Sequence, residues 1–257
     1  MPRSISNKRV LLSLVASLLF LSDGAAEQPA IIDDSSLKRS FEQKLTALFE
    51  KGEAPPAAEL FAQLKKEQSG PINLATPVEK KTSADGSVPL YRKVLPSTLL
   101  FGHLYKCSKC SRWHGSTAGG AVIGAGGIAI TNYHVIDSSK AAAFGAMDHS
   151  GNLFPVTKIL ASSKKDDLAI VQLGNCELPP VSLGAMAEPG EAVHILSHPD
   201  GHYFSYTRGV VSRHYLLAKT KAQRMQVTAD FARGSSGCGV FSDEGTLIGL
   251  VASTNSI

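Results

Sequence analysis

The chain has 257 residues, of which 43% are hydrophobic and 19% charged, and its formal net charge is +4 at pH 7. This composition excludes a disordered or collagen-like protein. The small net charge, without a cluster of basic and aromatic residues, gives no indication of a nucleic-acid partner. The length suits one large β domain or two small ones.

Residues 1–26 have the pattern of a secretory signal peptide. Basic residues precede an uncharged run from Val10 to Leu21, and small residues follow up to Ala26, where we predict cleavage. The apolar run is shorter than the roughly 20 residues that span a bilayer as a helix. The sequence therefore predicts an exported protein, periplasmic or extracellular, with no membrane contact after cleavage of the signal.

Residues 27–88 are predicted as a helical hairpin followed by a linker. Between residues 36 and 68 the apolar side chains recur at helical spacing, with one interruption by glycine and proline. Residues 69–88 are rich in Ser, Gly, Pro, Thr and Lys and have no hydrophobic period, which is typical of a linker. We therefore expect the main domain to occupy residues 89–257.

Beyond residue 89, short runs of apolar and β-branched residues are bounded by Gly, Pro, Asp and Ser. This pattern is typical of an all-β sandwich or barrel. The predicted strands are Leu99–Leu104, Gly120–Ile123, Ile128–Asn132, Leu168–Leu173, Ala192–Leu196, Thr207–Ser212, Met225–Ala229, Gly239–Phe241 and Leu247–Ala252. A hairpin turn is predicted at residues 188–191.

Two segments combine an apolar strand with a side chain that can transfer or orient a proton. One predicted strand runs directly into His134, and Asp167 immediately precedes another. A carboxylate fixes the tautomer of a general-base histidine and stabilises the imidazolium formed during attack. Asp167 is preferred to Asp166 because it adjoins the strand. Taken singly, each residue also suits a structural role at a strand end.

A third segment, residues 233–239, contains glycines on both sides of Ser236. Such glycines permit a tight turn whose backbone amides point at one spot, as an oxyanion hole requires. An ordinary Gly/Ser loop is the alternative interpretation of this segment on its own.

Three segments resemble motifs of the trypsin-like serine endopeptidases, particularly the bacterial high-temperature-requirement type. In their order along the chain they are T-N-Y-H-V, D-L-A-I-V-Q-L and R-G-S-S-G. The resemblance spans about residues 97–257 and includes the stretches 198–201 and 207–212. It implies two packed antiparallel β-barrels, over residues 97–178 and 179–257, with the catalytic groups in the cleft between them. In this chain a helical hairpin would precede the barrels.

The resemblance implies a catalytic role for each motif residue. His134 would act as general base, Asp167 would orient it, and Ser236 would attack the carbonyl of a protein or peptide substrate. The amides of Gly234 and Ser236 would bind the oxyanion, and the resulting acyl-enzyme chemistry needs no metal or other cofactor. The order excludes an α/β-hydrolase, because no histidine follows Ser236.

The resemblance also indicates residues that contact the substrate. Asp230 stands six residues before Ser236, where trypsin carries the carboxylate that binds Lys or Arg, although a local role at a strand end explains it equally. Val251 and Ser253 would lie on the strand that pairs with substrate. Family members continue past the position of Ile257, so we expect an incomplete pocket wall, and a catalytically silent, peptide-binding relative is the alternative function.

Cys107 and Cys110 form a C-x-x-C pair that His103 and His114 flank at four residues on either side. This arrangement is compatible with a zinc site, whereas export favours a disulfide, and free thiols are a third possibility. A redox or zinc module built on the pair is the third class of function. Cys238 is interpreted as a small packed side chain and not as the nucleophile.

Overall fold

The structure, a computed structural model, describes residues 31–66 and 89–253. The predicted signal peptide, residues 1–26, and the whole of the predicted linker, residues 69–88, lie outside these residues. The helices are α1 (Asp34–Glu50), α2 (Ala57–Lys65), α3 (Leu90–Val94) and α4 (Tyr133–Ile136). In the described ranges, no helix is long and apolar enough to cross a membrane.

The strands alternate with short turns through the rest of the described chain. They are β1 (Thr98–Lys106), β2 (Trp113–Gly124), β3 (Ile128–Thr131), β4 (Ala143–Met147), β5 (Leu153–Ser163), β6 (Leu168–Leu173), β7 (Ala192–Ser197), β8 (Ser205–Leu216), β9 (Gln223–Val227), β10 (Gly239–Phe241) and β11 (Leu247–Leu250). A turn is present at residues 188–191, since the Glu191 amide donates to the Glu188 carbonyl at 3.0 Å, but the predicted hairpin is not, because β7 pairs with β8 and β10 and not with the strand before the turn.

The first half of the β domain is a closed antiparallel barrel with the strand order β1-β2-β3-β6-β5-β4. Pairing of β1 with β4, for example Leu104 with Ala143, closes it and so removes the sheet edges. Alternate residues of the strands point inward, and Phe101, Val122 and Val171 are fully buried there. The barrel therefore forms its own hydrophobic core.

The second half is an antiparallel five-stranded sheet with the order β11-β10-β7-β8-β9. Val193, Ile195 and Val240 form part of its core. Cys238 lies in the same core and packs against Gly119 of the barrel, as expected for a small side chain, and burial raises the pKa of its thiol. A closed barrel with a curled second sheet confirms the predicted trypsin-like fold.

Two helices cover the barrel, in the region where helical spacing predicted them. The Asp33 carboxylate caps α1 by accepting from the Ser36 amide at 3.0 Å, which satisfies one of the free donors of the first turn. Phe41 and Leu45 of α1 are fully buried, and Leu60 of α2 belongs to the barrel core. The apolar faces of both helices thus shield the outer surface of the strands.

Strands β4 and β5 were not predicted from the sequence. β4 contains alanine and glycine where strands usually carry β-branched residues, so its propensity is weak. β5 contains Pro155, a residue that normally argues against a strand, yet Pro155 pairs in register with Gly145. Burial in the barrel core overrides both local signals.

Candidate active site

His134 and Asp167 come together because the strands that carry them are neighbours. β3 pairs with β6, with Thr131 opposite Ala169. His134 lies in α4, immediately after β3, and Asp167 lies in the turn before β6. His134 Nδ1 is 2.8 Å from Asp167 Oδ2, and the His134 backbone amide donates to Oδ1 at 3.0 Å. The carboxylate thus holds both the ring and the main chain of His134.

Asp167 has a left-handed backbone with φ of 61°, a conformation that is rare for residues other than glycine. The Asn132 side-chain amide donates to the Asp167 carbonyl at 3.0 Å and helps to hold this turn. Asp166 points elsewhere, since its carboxylate accepts from the Ser163 hydroxyl at 2.7 Å. The structure therefore brings Asp167, and not Asp166, to His134.

The His134 side chain is 48% exposed and opens on a cavity of about 250 Å³. Gly234 and Ser236 line the same cavity. Only Nδ1 of the ring is engaged by a hydrogen-bonding partner among the described residues. The other ring nitrogen, Nε2, is consequently available to a group inside the cavity.

Ser236 lies on the loop between β9 and β10, where Gly234 and Gly237 have φ of 98° and 81°. The Gly237 amide donates to the Val251 carbonyl at 2.8 Å, and the Gly119 amide donates to the Ser236 carbonyl at 2.7 Å. In the described residues, the amides of Gly234 and Ser236 have no such backbone acceptor. The role of these two amides as oxyanion-hole donors stays a prediction.

His198 is a buried residue that packs beside the loop carrying Gly234 and Ser236. Its Nε2 donates to the Leu99 carbonyl at 3.0 Å, and its Nδ1 accepts from the Phe204 amide at 3.0 Å. The ring is therefore neutral, and burial lowers its pKa to about 4. A side chain at Gly234 would approach the His198 carbonyl oxygen to 2.6 Å, so only glycine fits there. The stretch 198–201, which the resemblance to the endopeptidases included, thus supports the loop.

Val251 and Ser253 line a second cavity of about 380 Å³, together with apolar side chains such as Phe231, Val240 and Ile248. Asp230 is exposed and lines neither of the two cavities, and its carbonyl accepts from the Thr207 hydroxyl at 2.8 Å. The structure thus brings two of the three predicted substrate residues into one cavity. The role of Asp230 in binding Lys or Arg stays a prediction.

His103 and Ser138 line the cavity with Ser236, a position that sequence analysis did not predict for either residue. His103 Nε2 lies 3.2 Å from Ser138 Oγ, and burial lowers the pKa of His103 to about 4. Neither residue lies in the three segments that resemble the endopeptidase motifs, and they meet only because β1 forms part of the closed barrel. The only sequence signal for the position of His103 was the alternation of inward-facing and outward-facing residues along β1.

A profile for the trypsin-like peptidase domain matches residues 118–250. A protein of Hahella chejuensis described as a probable periplasmic serine endoprotease DegP-like is 28% identical over 139 residues. A Marinomonas protein with the same description is 27% identical over 139 residues. Each match covers 52% of this chain but only 29% of the relative, so the chain matches less than a third of the length of these relatives.

Two solved structures are similar in fold. Deg5 has a TM-score of 0.53 and 25% identity, with 64% of this chain and 83% of that chain covered. The HtrA-type protease AlgW, solved as a variant with a decapeptide, has a TM-score of 0.56, 17% identity, and coverage of 65% and 58%. Because the profile match extends over more than half of the sequence, this chain belongs to the trypsin-like peptidase domain family.

Proposed function

We propose that the chain is a serine endopeptidase with His134, Asp167 and Ser236 as its catalytic triad. The observation that carries the proposal is one cavity lined by Ser236, Gly234 and the exposed ring of His134, whose Nδ1 is held by Asp167. The similarity to DegP-like endoproteases supports this class of reaction.

The geometry supports a two-step hydrolysis. His134 Nε2 takes the proton of Ser236 Oγ as the oxygen attacks the substrate carbonyl, and Asp167 stabilises the imidazolium. The amides of Gly234 and Ser236 stabilise the oxyanion. His134 then protonates the leaving amine, so that an acyl ester remains on Ser236. Attack by a water molecule, with His134 again as base, releases the second product.

The cavity of about 380 Å³ is the proposed binding site for a substrate side chain, with Val251 and Ser253 on its wall. Its lining by Phe231, Val240 and Ile248 favours an apolar side chain. The Asp230 hypothesis favours Lys or Arg instead. A panel of peptides that differ only in the residue before the scissile bond distinguishes the two, because each predicts a different preferred residue.

Periplasmic relatives support export of the chain. We propose that residues 1–26 act as the signal peptide, that residues 27–88 form a helical hairpin and linker, and that residues 89–257 form the peptidase domain. Protein or peptide chains are the proposed substrates. The sequence of the mature N-terminus, read from exported protein, tests cleavage after Ala26.

An active-site-directed fluorophosphonate tests the triad directly. Wild-type protein should be labelled at Ser236, and Ser236→Ala should not be labelled. Ser235→Ala is a matched control, because Ser235 is buried and its hydroxyl has no hydrogen-bond partner in the described residues. It should be labelled like wild type. Folded wild type that resists labelling but binds peptide would instead identify the chain as a silent relative.

A further inference from the structure

The turn between β1 and β2 brings three metal-binding side chains together outside both cavities. The donor atoms of Cys107, Cys110 and His114 all lie within 4.8 Å of one another. Cys110 Sγ is 3.2 Å from His114 Nε2. We propose that these three residues bind a zinc ion, a property that is independent of the proposed proteolysis.

The register of the hairpin places the three residues close together. Tyr105 pairs with His114 at the ends of β1 and β2, so residues 107–112 form the connecting turn. Within this turn the Cys107 amide donates to the Arg112 carbonyl at 3.4 Å, and the Lys109 amide points at Cys107 Sγ at 3.4 Å. An amide directed at sulfur stabilises a thiolate, the form in which cysteine binds metal.

The distances between the donor atoms suit tetrahedral coordination of a zinc ion. Zinc bonds of about 2.3 Å to sulfur and 2.0 Å to nitrogen place neighbouring donors roughly 3.5 Å apart. Cys110 Sγ and His114 Nε2 are already 3.2 Å apart, and Cys107 Sγ lies within 4.8 Å of both, so a small movement of the Cys107 side chain would complete the set. Stacking of the His114 ring on Tyr105, at 5.8 Å and 28°, holds the imidazole in place before the ion arrives.

The charge of the hairpin is compatible with a bound cation. Lys106, Lys109 and Arg112 make the turn basic. The two negative charges of the thiolates balance the two positive charges of zinc, and the imidazole is neutral. The complete site therefore has no net charge and is not repelled by the basic side chains. Binding releases the protons of the two thiols to solvent, which makes the affinity rise with pH.

His103, which the symmetric spacing in the sequence included among the possible ligands, does not belong to the cluster. Its Nε2 lies 3.2 Å from Ser138 Oγ, and the Tyr105 ring contacts both His103, at 6.2 Å, and His114, at 5.8 Å. Tyr105 therefore keeps the two imidazoles apart. The site has three protein ligands among the described residues, and water or an external ligand takes the fourth position.

A zinc ion here would join the two sides of the turn. The start of β2, next to the turn, is already held by α1, since Trp113 packs edge-on against Phe49 at 5.6 Å and the Gly115 amide donates to Glu42 at 2.9 Å. Farther along, β1 and β2 contribute residues to the cavity that Ser236 lines. The ion would stabilise the turn itself, residues 107–112, which lies beyond these contacts with α1.

The experiment starts from reduced, metal-free, full-length protein to which zinc chloride is added. We expect one zinc ion per chain by elemental analysis, and sulfur-to-metal charge-transfer bands when cobalt(II) replaces zinc. Zinc at 100-fold above its Kd should raise the Tm by about 5–10 °C. Mass spectrometry after alkylation should show protection of Cys107 and Cys110 by zinc, which tests the ligands in wild-type protein without any substitution.

Cys107→Ser, Cys110→Ser and His114→Gln should each weaken zinc binding by more than about 10- to 100-fold, the loss that follows from changing a residue that only supports a ligand. The matched controls His149→Gln, at an exposed histidine, and Cys176→Ala, at a buried cysteine, should bind like wild type. Three results would each overturn the proposal. They are reduced wild type that binds no zinc, ligand variants that bind zinc as tightly as wild type, and a Cys107–Cys110 disulfide trapped in freshly exported protein.

Discussion

The barrel and the second sheet each contain a histidine that contacts an aspartate, and the two pairs differ in their surroundings. In the barrel, His134 is 2.8 Å from Asp167 and 48% exposed. In the second sheet, His194 of β7 is 2.6 Å from Asp243 but only 7% exposed. Its other nitrogen lies 2.5 Å from the Tyr206 hydroxyl.

The comparison shows that a short distance to a carboxylate does not make a histidine a general base. A general base needs a ring nitrogen that can reach the proton of the reacting group. Both nitrogens of His194 are engaged, and the ring stacks on Tyr206 at 5.8 Å. His134 has one nitrogen engaged by the described residues and opens on the cavity with Ser236. We therefore expect His134 to serve catalysis and His194 to serve stability.

The largest expected effect is that of removing the His134 ring. His134→Ala should lower kcat by about 10⁴-fold or more, because a triad without its base retains little activity. His194→Ala should keep the activity of the folded protein but lower its free energy of unfolding by about 2 kcal/mol, because two hydrogen bonds to a buried ring are lost. Peptide hydrolysis and urea unfolding measure the two quantities. Loss of activity in folded His194→Ala would contradict the division of roles.

The two aspartates should differ in the same way. Asp167→Asn should lower kcat by about 10⁴-fold, because the amide no longer selects the tautomer that leaves Nε2 free to accept a proton. Asp243→Asn should keep kcat within about threefold of wild type, because Asp243 is 58% exposed and contacts a histidine outside the proposed site. Equal losses of kcat in the two variants would remove the distinction between the pairs.

Gly234 and Gly190 form a matched pair for the proposed oxyanion loop. Both have positive φ, 98° and 95°, so alanine strains the backbone at either position by about 1–2 kcal/mol. A Cβ at Gly234 also meets the His198 carbonyl, whereas nothing lies within 4 Å of one at Gly190. Gly234→Ala should lower kcat by about 10²-fold, as for loss of an oxyanion donor, and Gly190→Ala should leave it unchanged. Unchanged kcat in Gly234→Ala would argue against this loop as the oxyanion site.

Local sequence patterns predicted the bounds of some strands and the motif residues of the site, but not the contacts that surround these residues. β6 and β10 have the predicted bounds, because their apolar runs end at charged or glycine-containing turns. The positions of His134 and Ser236 also follow from short motifs. The left-handed turn at Asp167 and the cavity residue His103 could not be predicted, since both depend on contacts between strands far apart in the sequence. The pair of His194 and Asp243 was missed for the same reason.

The smallest expected effect concerns His198, which lies buried where the second half meets β1. Its pKa in the folded protein is about 4, below the ordinary value of 6.5, because burial disfavours the charged ring. The unfolded chain therefore binds a proton at a higher pH than the folded chain does. The stability that depends on neutral His198 is present above pH 6.5 and is lost as the pH falls towards 4.

Between pH 7 and pH 5 this histidine should account for a fall of about 2 kcal/mol in the free energy of unfolding. His103, whose pKa is also lowered to about 4 by burial, adds a change of the same sign. His198→Gln keeps a donor for the Leu99 carbonyl and cannot titrate, so it should show a shallower pH dependence than wild type, whereas His149→Gln, at an exposed position, should keep the wild-type slope. Urea unfolding at several pH values measures this slope. If the pH dependence of stability in His198→Gln were as steep as in wild type, the ring would not be held neutral by burial. The contact between the barrel and the second sheet would then not depend on the protonation state of His198.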